Sequence, residues 1–200
     1  MCFHSKQSAS ALALKQRFNA IFENETAFQP TTYNGFEHPK TPIITSQKQD
    51  TIQLYSWGLI PHWAKDDSIR KHTLNAKSET IHEKPSFRDI VQNRCLVLID
   101  GFYEWKWLDE KGKHKQKYLI TLPTHEAFAC AGLYSHWMDK NTGETINTYT
   151  ILTTEANGLM SEIHNSKKRM PVIIHSSNEQ SWLLGEAHKF THINLMATEV

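Results

Sequence analysis

The sequence predicts an α+β fold with a curved antiparallel sheet or barrel-like core and short flanking helices. Three observations carry that expectation. Segments with strand patterning outnumber helical ones. The helical faces are short. Strands and helices do not alternate regularly, as a parallel α/β chain requires. A length of 200 residues suits one domain with a substantial core, assigned to residues 1–200. No linker, repeat or low-complexity segment divides it.

Taken in order, Ala11, Leu14, Phe18, Ile21 and Phe22 mark one helical face over 11–23, with Ser8 or Ser10 as its cap. Residues 24–41 have no period and read as irregular. Pro42–Ser46 and Thr51–Trp57 are two strands joined by the polar turn 47–50. An aromatic loop, Trp57-Gly-Leu-Ile-Pro-His-Trp63, follows, and 64–84 is polar without a clear period. Pro85 to Gln92 reads as a short helix with proline in its first turn. Residues 95–100 and 102–107 form a central strand pair, and 109–113 is a hairpin turn with the returning strand at 116–122. Two more strands, 127–134 and 145–153, flank a turn at 139–143. A short helix at 155–163 and a strand at 170–174 come next; Pro171 places that strand at an edge or strand start. Ser177-Asn-Glu-Gln180 is a capping box opening a helix that ends near Gly185.

Composition narrows the function classes. Lysine and arginine number 22 against 21 acids, a formal charge of +1, so nucleic-acid binding would need a local basic patch. No apolar run approaches a membrane span, and no signal peptide is evident at the N-terminus. The three cysteines, Cys2, Cys95 and Cys130, form no C-x-x-C pair. An odd count of this kind points to a reducing, cytoplasmic setting (nucleoid-associated in a bacterium) and not to a disulfide framework. Cys95 and Cys130 sit in apolar strands as small core residues. Twelve histidines show no ligand spacing, so neither metal nor cofactor is expected.

The residues with chemical potential are few. In Asp100-Gly-Phe-Tyr-Glu-Trp105, alternation puts Phe102, Glu104 and Lys106 on one face and Tyr103, Trp105 and Trp107 on the other. A carboxylate among aromatic rings is poorly hydrated, which favours its protonated form and suits acid–base work; a surface strand with Glu104 in water is the plainer alternative. Cys2 becomes N-terminal if Met1 is removed. Its amine and thiol then sit on adjacent carbons and can close a five-membered thiazolidine on an aldehyde. The plainer alternative is a frayed terminus. Asn75 can orient an amine or a sugar hydroxyl, or simply bond its own turn. His164 is a proton shuttle or a surface histidine. Lys167-Lys168-Arg169 is a solvated charge run or a phosphate grip.

Together these pieces resemble the SOS response-associated peptidase (SRAP) family. The resemblance runs nearly end to end, through Met1-Cys2, the loop 57–63, Asn75-Ala-Lys-Ser-Glu79, Asp100–Trp105, Ile151-Leu-Thr-Thr154, and His164 with Arg169-Met-Pro171. It implies a monomeric protein that binds abasic sites in single-stranded DNA and links to them through Cys2, after removing its own initiator methionine. It also implies residue roles. Cys2 is the nucleophile, Asn75 holds the reacting amine, Glu104 is the acid–base group, and His164 assists sugar opening. Lys77 and Arg169 contact phosphates, with Lys167 and Lys168 as substitutes, and Trp63 and Trp105 shape or stack on the DNA.

Three departures from the family pattern stand out. Phe3-His4 follow Cys2 where Gly-Arg is usual. Lys77 replaces an arginine, keeping charge but losing the bidentate fork. The spacing from His164 to Arg169 is three residues longer than usual. Two other readings of the same residues are an ordinary cysteine peptidase or amidohydrolase using Cys2 and His164, and a non-catalytic nucleic-acid-binding module.

Overall fold

The chain passes from one sheet system into another at Asp100. The computed structural model describes residues 2–186 and 193–200. Its strands are β1 (His4–Gln7), β2 (Ile21–Phe22), β3 (Thr31–Asn34), β4 (Lys40–Thr45), β5 (Lys48–Trp57), β6 (Asn75–Lys77), β7 (Arg94–Ile99), β8 (Gly101–Trp107), β9 (Lys115–Thr121), β10 (Phe128–Met138), β11 (Thr145–Glu155), β12 (Arg169–Pro171), β13 (Ile173–Ile174) and β14 (Met196–Glu199). The α-helices are α1 (Ala11–Phe18), α2 (Gly158–Ile163) and α3 (Glu179–Leu183).

Strands β11, β10, β7, β4 and β5 pair in that order, and β5 returns to β11 through Ser56 opposite Thr148 and Trp57 opposite Tyr149. That parallel contact closes a five-stranded barrel; its other four pairings are antiparallel. The fold is thus α+β and mostly sheet, as the sequence predicts. A second, antiparallel sheet runs β14-β9-β8-β1-β3.

Period-two alternation explains the two cores. Ile43, Cys95, Val97, Ile99, Cys130, Tyr149 and Ile151 point into the barrel, where they meet Cys2 and Phe102. Their neighbours Ile44, Leu96, Leu98, Ala129, Ala131 and Leu152 point outward and are covered by Leu14 of α1 and by Trp182 and Leu183 of α3. With both faces buried, these strands read as continuous apolar runs. At Gly132 a Cβ would lie 2.8 Å from the Cys95 sulfur, so only glycine fits there.

Several elements differ from expectation. Ser10, not Ser8, caps α1, and the helix stops at Phe18 because Asn19 turns left-handed (φ 47°) and donates to the Lys15 carbonyl. Ile21 and Phe22 therefore pair with β5 as β2 instead of continuing the helix. Pro85 to Gln92 is not an α-helix; it holds a single 3-10 turn at Arg88–Ile90, with Phe87 and Ile90, three apart, both turned inward. The irregular stretch 24–41 contains β3, and the amino-terminal segment is strand β1, wedged between β8 and β3. Strand β14 was not anticipated; its partner β9 is distant in sequence.

Candidate active site

Glu104 sits in the middle of β8 on the face it shares with Phe102, and only 4% of it is exposed. Tyr103, Trp105 and Trp107 occupy the opposite face and are half-buried. Its burial therefore comes from what covers the inner face of the sheet, not from its sequence neighbours. β1 pairs with β8, His4 opposite Tyr103, which carries the start of the chain to Glu104. Cys2 lies fully buried there, in one apolar cluster with Phe102, Ile99 and Cys130. Burial, reinforced by the nearby Glu104 carboxylate, pushes the Cys2 thiol well up. At neutral pH it is a thiol, and it needs a base to become a nucleophile.

Asn75 opens β6, which lies parallel to β11 with Asn75 opposite Ile151. From there its Nδ2 donates to the main-chain carbonyl of Cys2 at 2.8 Å. Its Oδ1 is buried and accepts no hydrogen bond among the described residues. An amide fixed at one end with an open acceptor at the other suits the orientation of an N–H or O–H donor.

His164 follows α2. Its Nε2 is 3.9 Å from Glu104 Oε2, and both side chains are buried. Its Nδ1 is 2.7 Å from the Arg169 carbonyl oxygen and 3.2 Å from the Arg169 backbone nitrogen. These two contacts fix the ring through Nδ1 and turn Nε2 toward Glu104. The pair can then take a proton from a bound group and return it.

Asn165, which the sequence reading passed over, holds this pair in place. It accepts from the Trp107 N–H at 3.1 Å and donates to the Trp107 carbonyl at 2.9 Å, clamping the loop after α2 to β8. Its position directly after His164 was the one available signal.

The cations separate into two groups. Arg169 is expected as a phosphate contact, but it is only 9% exposed. Both its terminal nitrogens bind the Glu79 carboxylate, at 2.8 and 2.9 Å, and one also donates to the Thr153 carbonyl at 2.6 Å. Those hydrogen bonds hold the Glu79 carboxyl below its usual range. Arg169 anchors β12 and, through its backbone, His164. Lys77, Lys167 and Lys168, by contrast, are exposed. Trp63 is 48% exposed on the loop after β5, with its indole N–H on the Pro85 carbonyl at 3.2 Å. Trp105 meets the His4 ring edge-on at 5.1 Å. The structure thus gathers Cys2, Asn75, Glu104 and His164, and sets Trp63, Lys77, Lys167 and Lys168 on the surface.

All three cysteines are free and buried. Among the described residues, no group of three His, Cys, Asp or Glu is placed to hold a metal. No helix among them is long and apolar enough to cross a membrane.

The chain is similar to several known proteins over most of its length. Abasic site processing protein YoqW of Bacillus subtilis (strain 168) is 45% identical over 142 residues, an alignment covering 70% of this chain and 61% of that protein. Abasic site processing protein HMCES of Gallus gallus is 31% identical over 192 residues, covering 80% of this chain and 55% of that protein. The chain therefore aligns with less than two thirds of the length of these relatives. A crystal structure of a protein from Bacteroides thetaiotaomicron matches at TM-score 0.89 and 35% identity, covering 100% of this chain and 92% of that one. One from Bordetella bronchiseptica, at TM-score 0.82 and 22% identity, shares the fold. Residues 1–199 match the model of the family described as SOS response associated peptidase (SRAP), and the chain belongs to that family.

Proposed function

We propose that this protein processes abasic sites in single-stranded DNA by linking to them covalently through Cys2. The observation that carries the reading is the setting of Cys2. Asn75 holds its carbonyl, Glu104 acts on its thiol, and His164 stands against Glu104. Relatives named as abasic site processing proteins lend the substrate class.

The chemistry balances with these residues. Hydrolysis of the Met1–Cys2 bond, consuming one water, frees the Cys2 amine; Met1 itself lies outside the described residues. The ring-opened abasic sugar presents an aldehyde. The amine adds to its carbonyl carbon, and the carbinolamine loses one water to give an imine. The Cys2 sulfur then adds to the imine carbon while its proton passes to the nitrogen, closing a thiazolidine. No oxidant or cofactor is required. Glu104 and His164 move the protons, taking one from the raised-pKa thiol and supplying one to the departing hydroxyl. Asn75 holds the main chain of residue 2, so that amine and aldehyde meet in one geometry. Lys77, Lys167 and Lys168 supply phosphate contacts, and Trp63 and Trp105 supply stacking surfaces. Arg169 orders His164.

The test is incubation with a single-stranded oligonucleotide carrying one abasic site, followed by a denaturing gel. A retarded, protease-sensitive band from wild type and none from Cys2→Ala is the expected result. Absence of any heat-stable adduct from wild type overturns the reading.

A further inference from the structure

The β8–β9 hairpin carries a concentration of charge that the site itself does not use. Residues 106–117 hold five lysines against two acids, an excess of three positive charges in a chain whose total is +1. One of those acids, Asp109, is consumed by the turn, accepting from the backbone N–H groups of Lys111, Lys113 and His114. Antiparallel register sets Lys117 opposite Trp105 and Lys115 opposite Trp107. Cross-strand partners share a face, so both lysines stand among the rings of the outer surface. The Lys117 ammonium lies 4.1 Å from the centre of the Tyr103 ring and 5.8 Å from that of Trp105; Lys115 lies 5.3 Å from that of Trp107. Neither lysine forms an ion pair among the described residues.

This face is the reverse of the β8 face that carries Glu104, and it is linked to the site through the start of the chain. Trp105 follows Glu104 directly, and His4, two residues from Cys2, touches the Trp105 ring. The Asn165 clamp on Trp107 brings the loop bearing the exposed Lys167 and Lys168 against the same hairpin. We propose that the outer face of the β8–β9 hairpin binds one flank of the single strand beyond the abasic nucleotide, with Lys115 and Lys117 on phosphates and the Trp107 and Tyr103 rings holding those ammonium groups in position. The inference rests on the proposed function for the identity of its ligand. Its support is charge complementarity with a polyanion and the interleaving of cations with π-faces, the combination that holds single strands without reading sequence. Ammonium groups already held over rings lose little freedom on pairing with a phosphate.

The test uses an undamaged thymidine oligonucleotide of ~15 nucleotides, so that it needs no covalent step. Each phosphate contact contributes roughly −0.7 to the log–log salt slope for single strands. With Lys77, Lys167, Lys168, Lys115 and Lys117 engaged, wild type should show a slope of about −3.5. The Lys115→Gln/Lys117→Gln double variant should show about −2 and weaker binding, and Lys115→Arg/Lys117→Arg should stay at the wild-type slope. Lys140→Gln, in the β10–β11 turn, is the control for loss of charge alone. Thermal melting verifies that each variant is folded. A Gln double variant with the slope and affinity of wild type overturns the hairpin assignment, even if wild type still links to abasic DNA. A wild type that forms no adduct but shows the predicted slopes overturns the linking chemistry and leaves the hairpin as a single-strand surface.

Discussion

Asn75 and Cys2 are 73 positions apart in sequence, and the Asn75 side-chain amide binds the Cys2 main-chain carbonyl at 2.8 Å. One end of the bond is the first residue of a three-residue strand fastened to the barrel by β11. The other is the residue proposed to react. The barrel thereby sets the position of the Cys2 backbone.

Asn75→Ala removes that tether. Losing one hydrogen bond of this kind costs about 1 kcal/mol of stability, readable by urea denaturation. The rate of adduct formation on abasic single-stranded DNA should fall by more than that loss explains, because the amine is no longer held. A variant that links at the wild-type rate would show that the contact only stiffens the chain.

The Cys2 thiol should react as an unactivated one. Burial and Glu104 raise its pKa, so the rate of iodoacetamide labelling should climb roughly tenfold per pH unit from pH 7 upward, with the thiolate fraction. The linkage follows the same sign. Above the ordinary thiol value of 9.0 the unfolded chain releases this proton while the folded one keeps it, so Cys2 makes stability decline as pH rises past 9. Intact-mass kinetics decide the first point; a labelling rate that levels off below pH 8 would mean an activated thiolate.

Glu104→Gln keeps shape and hydrogen-bonding capacity but cannot exchange a proton. General acid–base groups contribute typically 10² to 10⁴-fold, and the linking rate should drop by about that factor while DNA binding persists. Time courses for both proteins between pH 5 and 8 test it. Equal rates across that range would make Glu104 a structural residue.

Arg169→Ala should act on stability first. It breaks the pair with Glu79 and the bond to the Thr153 carbonyl, a loss of roughly 1.5–3 kcal/mol at pH 7 for charged hydrogen bonds. Glu79 has a depressed pKa, so its share is present above the ordinary carboxyl value of 4.5 and fades as pH falls through the folded value. Because the Glu79 side chain is 45% exposed, that pH-dependent share is small, under about 1 kcal/mol. Thermal melts from pH 3 to 7 should show the gap between wild type and variant narrowing slightly on acidification. An unchanged melting temperature at pH 7 would leave Arg169 free for DNA.

Local pattern alone determined a good part of this protein. Apolar runs and alternation located β7 through β11, because the period of side chains along a strand is a property of adjacent residues. The same alternation put Glu104 and Phe102 on one face of β8. Residue types made Cys2, Asn75, Glu104 and His164 candidates, and the short motifs around them carried the family resemblance that proposes their roles. What only the tertiary structure decided were the pairings between distant segments. Closure of the barrel depends on a two-residue parallel contact between β5 and β11, which no local period encodes. The start of the chain became a strand because β8 and β3 offered it two edges. The helical face through Ile21 and Phe22 ended early because β5 had an edge for them to satisfy. Arg169, one of three adjacent cations in sequence, was withdrawn from the surface by Glu79, 90 residues away. A charge run shows that cations are present; which of them stays free depends on the partners that folding brings within hydrogen-bond reach.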